Sequence, residues 1–289
     1  MDLGQNRRGV DMGPSAIRYA RFQESLEELG YTVTDLGNAR TPIPETVEKN
    51  GKVQRLGAIR EVCSEIAAQI EKMVADGLFP IILGGDHSVS IGTVSGAASV
   101  GRTGVIWLDA HADFNTPETS PSGNVHGMPL ATLTGRGHPD LVNIGEIGAK
   151  VMPEDVVLVG LRSVDRDEQR LLHEAGAHVY TMKEIDAYGV AKVVRRAIED
   201  LSHLERVHLS FDLDALDPEI APGVGTPVRG GLSYREAHLV MELVNEAGII
   251  TSLDVVEVNP ILDERNGTAE LAVELVASLM GRQIIDLPG

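Results

Sequence analysis

The sequence predicts an α/β fold in three layers, with helices on both sides of a central, mainly parallel sheet. Short β-branched runs alternate with amphipathic stretches along the whole chain. Several runs are unbroken Val/Ile/Leu rather than alternating, which is how a strand covered on both faces reads. No Ser/Gly/Pro linker, charge block or internal repeat divides the 289 residues, so a single domain over 1–289 is expected.

In chain order, a helical period covers 15–29, with Ser15 as candidate N-cap and Gly30 as stop. The first strand candidate is YTVTDLG from Tyr31. A helix over 57–76, stopped by Gly77, leads into FPIIL at 79–83, and GVIWLD follows at 104–109. Residues 110–150 are rich in turn formers with a weak apolar period, and a loop of that length is usually functional. Beyond it come VVLVGL (156–161), a helix over 167–175 between Asp167 and Gly176, HVYTM (178–182), a helix over 190–203 and VHLSFDLD (207–214). A helix over 233–247 between Ser233 and Gly248, TSLDVVEV (251–258) and a helix over 269–281 complete the pattern, giving seven strand candidates.

Composition narrows the function. With 43% hydrophobic and 24% charged residues the chain suits a globular protein and not a disordered one. A net charge of −18 argues against nucleic acid, whose binding draws on Lys and Arg, and favours a cationic ligand or metal ions. One cysteine, Cys63, excludes an intrachain disulfide and fits a reducing compartment. No apolar run is long enough to span a membrane, and MDLGQNRRGV lacks a signal peptide's apolar stretch, so a cytoplasmic protein without membrane partners is expected.

Three strand ends carry potential metal ligands: Gly84-Gly85-Asp86-His87-Ser88, Asp109-Ala-His111-Ala-Asp113 and Asp212-Leu-Asp214. If extended backbone continues past the strand, Asp109, His111 and Asp113 share one face at period two. Ligands of open parallel sheets bind at this rim. Four carboxylates packed together repel unless cations lie between them, and two divalent ions would cancel their charge. Two imidazoles among hard oxygen donors, without thiolate, favour a binuclear Mn²⁺ site over structural Zn²⁺. Each motif alone reads more readily as a turn or cap; three on separate strand ends of one chain do not.

These residues resemble the ureohydrolase superfamily, and within it the arginases closely. The shared motifs are GGDHS (84–88), DAHAD (109–113) and SFDLDALDP (210–218), and the arginase-like ones are DLGQNRRGVDMGPSAIR (2–18), NTPETSPSGNVHGMP (115–129) and EVNP (257–260). The resemblance runs from residue 2 to about 281. It implies an arginase-like sheet of eight strands in the family, two Mn²⁺ per subunit, and hydrolysis of L-arginine to L-ornithine and urea by a bridging hydroxide that attacks the guanidinium carbon. His87, Asp109, Asp113 and Asp212 would hold one ion, and His111, Asp109, Asp212 and Asp214 the other. Glu257 would pair with the substrate guanidinium, His126 would carry a proton near the leaving amine, and Asp113 would deliver it. Asn115, Ser120, Ser122 and Asn124 would face the amino-acid end of the substrate, Asp165 with Glu168 beside it would face the α-amino group, and Thr226 is grouped with these substrate-binding residues. A homo-oligomer, trimer or hexamer, is also implied.

In the family a strand precedes DLGQ, whereas this chain opens at Met1-Asp2-Leu3. The seven strand candidates are therefore one short of eight, and a translation start upstream of Met1 is the expectation. The alternatives are another guanidino hydrolase, such as an agmatinase or guanidinobutyrase, and a metal- or amino-acid-binding protein without turnover. The second predicts missing chemistry, yet all six ligands, His126 and Glu257 are present. The acidity beyond the ligands is expected to draw in a cationic substrate, so kcat/KM should fall as salt is added. A kcat/KM indifferent to salt would leave the excess charge as solubility alone.

Overall fold

The computed structural model describes residues 1–49, 51–283 and 285. Six strands form one parallel sheet: β1 (Ile81–Leu83), β2 (Gly104–Leu108), β3 (Val156–Leu161), β4 (His178–Thr181), β5 (Val207–Asp212) and β6 (Ile250–Val256), in the order β1-β6-β5-β2-β3-β4. The helices are α1 (Gly13–Tyr19), α2 (Phe22–Glu27), α3 (Leu56–Ala75), α4 (Ser90–Ala97), α5 (Pro129–Leu133), α6 (Pro139–Val142), α7 (Arg166–Ala175), α8 (Met182–Tyr188), α9 (Val190–Asp200), α10 (Tyr234–Ala247) and α11 (Gly267–Leu279). None of them is long and apolar enough to cross a membrane.

Alternation along the central strands sorts side chains between the two faces. Ile106 and Leu108 of β2, Val157 and Val159 of β3, Leu209 and Phe211 of β5, and Leu253 and Val255 of β6 pack with α1, α2, α9, α10 and α11. On the opposite face Val105, Trp107, Val156 and Leu158 pack against α4, α5 and α7, while Ile82 and Val256 meet α3. This is the three-layer arrangement expected from the unbroken apolar runs.

Six of the seven strand candidates form strands, and the count is corrected at YTVTDLG. That segment runs without a ladder partner among the described residues, with Tyr31 and Leu36 exposed. Its β-branched pattern favours extended backbone, but a strand requires a neighbour to take up its N–H and C=O groups. The helix expected over 15–29 is split into α1 and α2 by Arg21, whose φ is 65°, and it starts at Gly13-Pro14 with Ser15 inside it. Asp165, not Asp167, caps α7, through a reciprocal capping box with Glu168. Ser233 caps α10 as expected, by the same device with Glu236. The long loop over 110–150 contains α5 and α6, each begun by a proline at its first turn. A further capping box, Thr181 with Glu184, starts α8, an element the apolar period did not reveal.

Helices α3 and α4 pack closely because α4 presents glycine. A Cβ at Gly92 would lie 2.6 Å from the Cys63 carbonyl oxygen, and one at Gly96 would lie 2.5 Å from that of Ala67. Gly96→Val should therefore destabilise the protein by about 1–3 kcal/mol through overpacking. Gly57→Ala, where a Cβ meets nothing within 4 Å, should be neutral or slightly stabilising. Urea denaturation of both variants checks the contrast.

Candidate metal centre and substrate cavity

The three ligand clusters leave the carboxyl ends of β1, β2 and β5, and Glu257 follows the end of β6. The turn after β1 needs glycine, because a Cβ at Gly85 would collide with the Met1 carbonyl oxygen. Asp86 then caps the short 3₁₀ turn His87–Val89 by accepting the Ser88 N–H at 3.0 Å, which aims His87 across the sheet.

There His87 Nδ1 lies 3.0 Å from Asp109 Oδ2, 3.0 Å from Asp113 Oδ2 and 3.1 Å from Asp212 Oδ2. Yet this buried nitrogen makes no hydrogen bond. Three anionic oxygens converge on it without lying along an N–H direction, which suits a cation shared among them. His111 Nδ1 sits 3.0 Å from Asp214 Oδ2 and 3.5 Å from Asp109 Oδ1. Asp109 thus turns one oxygen to each imidazole, the arrangement of a bridging carboxylate. His87, Asp109 and Asp113 form one group with ligand atoms within 4.8 Å of one another, and Asp109, His111 and Asp214 form a second. The donor set fits two metal ions.

Convergence comes from bending and not from strand alternation, which corrects the face-sharing expectation. β2 ends at Leu108, and Asp113 adopts left-handed backbone with φ 50°. That conformation is strained for a residue with a Cβ. It is held by the start of α5, whose Leu130 N–H donates to the Asp113 carbonyl at 3.0 Å. Likewise Asp214 lies in a 3₁₀ turn (Leu213–Ala215) and donates its N–H to Asp212 Oδ1 at 2.7 Å. Extended backbone would have spaced the side chains by about 6–7 Å, too far apart to share an ion.

Neighbouring groups lock the ligands. Trp107 stacks on His87 with ring centroids 4.1 Å apart and planes 6° apart, and its Nε1 donates to Asp109 Oδ2 at 2.9 Å. His87 Nε2 pairs with Ser210 Oγ at 2.8 Å, and Ser210 donates to Asp254 Oδ1 at 2.6 Å. Since Ser210 gives its proton to Asp254, it accepts from His87 Nε2, so a neutral His87 would present its Nδ1 lone pair to the carboxylates. Asp254 also accepts from Ser90 and Thr93 and faces His208 Nε2 at 3.2 Å. His208 is accordingly buried and structural; His138, His173, His178, His203 and His238 lie outside the centre.

The electrostatics express a demand for positive charge. Burial raises the Asp113 carboxyl to about 6, with help from Asp109, and burial with the Asp214 and Asp109 charges lifts Asp212 well above the usual range. Asp214 is raised for the same reasons. Burial opposes protonation of His111, but Asp214 and Asp109 outweigh it and push the imidazole up to about 12. For His87 too, the three carboxylates outweigh burial. These shifts share one direction, toward added positive charge, which divalent ions supply in a metal centre.

The centre opens into a cavity of about 190 Å³ lined by His87, His111, Asp113, Asp212, His126 and Thr226 at its floor. Asn115, Ser120, Ser122, Asn124, Asp165 and Glu168 form its outer wall. The sequence-assigned residues therefore meet in one space, with three exceptions. Asp109 and Asp214 lie beneath the cavity, and Glu257 does not line it. Glu257 Oε1 sits behind His126, 3.4 Å from its Nδ1, and accepts the His87 N–H at 3.0 Å. Asn115 Nδ2 donates to Asp165 Oδ2 at 3.1 Å, and Thr226 Oγ1 donates to Asp214 Oδ2 at 3.0 Å. Asn124 Oδ1 is buried without a partner. Burial lifts Glu168 to about 7 despite the N–H groups of Phe114 and Asp165 that it accepts.

A family model described as the arginase family matches residues 1–281. The chain belongs to the arginase family. It is 53% identical over 287 residues to the arginase of Bacillus subtilis strain 168, covering 99% of this chain and 96% of that protein. The native crystal structure of the Bacillus caldovelox arginase at pH 5.6 superposes with a TM-score of 0.96 at 53% identity, covering 99% of this chain and 97% of that one. The Entamoeba histolytica arginase, solved with L-ornithine, gives 0.88 at 32% identity over 97% of this chain and 94% of that one. Membership makes the protein a hydrolase of arginase type, and the two His/Asp groups agree with the binuclear centre of that family.

Sequence reasoning missed Trp107, Ser210 and Asp254 as parts of the arginase centre, although His208, Ser210 and Asp212 stand at period two in one strand, a polar face in an otherwise apolar run. Ser210→Ala should free the His87 ring and weaken divalent metal binding about 10- to 100-fold. Metal titration followed by calorimetry measures it; an unchanged affinity would mean that the Trp107 stack alone orients the ring.

Proposed function

We propose that this chain is a Mn²⁺-dependent enzyme that hydrolyses L-arginine to L-ornithine and urea. The observation that carries the reading is the joining, in one cavity, of the two His/Asp groups with an outer wall of amide, hydroxyl and carboxylate side chains. His87, Asp109, Asp113 and Asp212 would hold one ion and His111, Asp109, Asp212 and Asp214 the other, and four hard carboxylates with two imidazoles suit Mn²⁺. Bound there, the ion pair would supply a water of lowered pKa as the nucleophile toward the guanidinium carbon.

The protein's own residues bind and manage protons. Ser120, Ser122 and the Asn124 amide, whose oxygen has no partner, suit the α-carboxylate and α-ammonium of an amino acid. Asp165, oriented by Asn115, supplies negative charge toward the ammonium, with Glu168 beside it. At the inner end Glu257 would pair with the planar guanidinium, which would displace His126 from its carboxylate. Burial opposes a proton on His126, but Glu257 outweighs it and raises the imidazole, which favours a proton on the ring at the cavity floor. Addition of water breaks one C–N bond, and the departing nitrogen takes a proton from Asp113, with His126 carrying protons to and from solvent.

Agmatine lacks the α-carboxylate and so gains nothing from the outer wall. Mn²⁺-loaded protein should release urea from arginine with a kcat/KM well above that for agmatine. Ser122→Ala together with Asn115→Ala should erode arginine turnover selectively, by about tenfold or more for lost hydrogen bonds to a charged group. A folded, Mn-replete sample that leaves arginine intact, or equal losses on both substrates, would refute the assignment.

A further inference from the structure

Glu257 can align a planar cation only if its own carboxylate cannot turn. The chain removes that freedom through a residue 252 positions away. Gln5, buried at 3% exposure, donates from Nε2 to Glu257 Oε2 at 3.1 Å, while Oε1 is held by the His87 N–H. Gly225 admits the pair, since a Cβ there would come within 2.5 Å of Glu257 Oε2 and 3.1 Å of Gln5 Oε1. Glu257 itself has φ 65° and is 1% exposed, so side chain and backbone are both confined.

Gln5 is fixed in turn. Arg55, a buried guanidinium in left-handed backbone, donates from Nη1 to the carbonyls of Leu3 at 2.9 Å and Gln5 at 3.2 Å. The residue before it, Gln54, donates its N–H to the Gly123 carbonyl at 2.9 Å, inside the outer wall of the cavity. Gly123 has φ 70°, and a Cβ there would lie 2.3 Å from the Lys52 carbonyl oxygen, leaving no space for a side chain. Residues 52–55 are thus a strap with one grip on the loop at the amino-acid end and another on the segment that orients Glu257.

We propose that Gln5 is a positioning residue for the guanidinium end of the substrate, and that the strap over 52–55 fixes the span between that end and the loop at 120–124. The proposal rests on the arginine-hydrolysing reading above. Gln5 acts only through Glu257, so its loss should harm recognition of a guanidinium and spare a ligand that lacks one. Arg55 holds the carbonyls of Leu3 and Gln5 and directly follows Gln54, whose N–H grips Gly123, so its loss should loosen the strap and harm both.

The test uses full-length, Mn²⁺-loaded protein. In Gln5→Leu, kcat/KM for L-arginine should fall by about tenfold or more, the size expected for a lost hydrogen bond to a buried charge. The Kd for L-ornithine, which has no guanidinium, should stay within about twofold, and bound Mn²⁺ should be unchanged. Arg55→Met should weaken both ligands. A silent Gln5→Leu, or one that weakens ornithine as much as arginine, overturns the role of Gln5. An Arg55→Met variant that spares ornithine overturns the strap. Gln5→Asn, one methylene short of Glu257, reads the same contrast if leucine prevents folding; failure of both to fold makes Gln5 purely structural and also overturns the proposal. An unmodified protein inactive on arginine sinks the substrate assignment and this inference with it, whereas an active parent with a silent Gln5→Leu sinks the inference alone.

Discussion

Four carboxylates confined to one buried rim set the terms for everything around them. Asp109, Asp113, Asp212 and Asp214 are all nearly inaccessible, and like charges at that spacing cannot all ionise without compensation. Partial compensation is built into the chain. His111 N–H donates to Asp109 at 2.7 Å, Asp214 N–H to Asp212 at 2.7 Å, and Ala110 N–H to Asp214 at 3.2 Å. Each donor belongs to the turn that carries a ligand, so the bends that bring the carboxylates together also aim amides at them. The remainder of the charge suits cations, and the strained φ of Asp113 and the unbonded His87 Nδ1 agree with that demand.

That demand reaches into the sheet. β5 and β6 are apolar on one face, where Leu209, Phe211, Leu253 and Val255 join the core under α10 and α11. Their other face carries His208, Ser210, Ser252 and Asp254, all buried. Polar groups in such a place are tolerable only when every member is paired. Here His208 Nδ1 meets Ser252 at 2.8 Å, and Asp254 collects Ser90, Thr93, Ser210 and His208. Burial opposes its charge, but His208, His87 and the Ser210 hydroxyl outweigh burial and hold Asp254 at about 2. Its charge persists beneath the metal ligands and fixes the direction of the Ser210 hydroxyl, hence the tautomer of His87. One face of β5 and β6 trades hydrophobic packing for a rigid polar base under the centre.

This division explains what the sequence could reveal. Apolar runs and glycine stops are local signals, so β2, β3, β5, β6, α3 and α10 were legible. The His/Asp clusters were legible because each is contiguous and ends a strand, and five of their residues meet in the two groups that could hold metal. The strand pattern at Tyr31 was misleading because pairing depends on a neighbour, which no local pattern encodes. The manner of convergence is hidden for a related reason: period-two spacing implies a shared strand face, whereas left-handed backbone at Asp113 and a 3₁₀ turn at Asp214 do the aiming. Trp107 reads as a core residue until its stacking on His87 is seen.

The opening segment is the least legible part and one of the most consequential. DLGQNRRGV has no apolar period, yet Leu3 is fully buried and Gly4 is threaded through the site. Gly4 N–H donates to Asp86 Oδ2 at 2.9 Å, and its carbonyl accepts the His126 N–H at 3.1 Å. A Cβ at Gly4 would lie 2.5 Å from Asp86 Oδ1 and 3.0 Å from the His126 nitrogen, so only glycine fits. The turn that presents His87 and the turn that presents His126 are therefore joined by one peptide unit of this segment. Gln5, the next residue, reaches Glu257. His87, His126 and Glu257 come from three distant parts of the chain, and their relative positions depend on residues 3–5 lying between them. Displacing that segment would shift all three at once, which makes it a structural member of the site and not a peripheral arm.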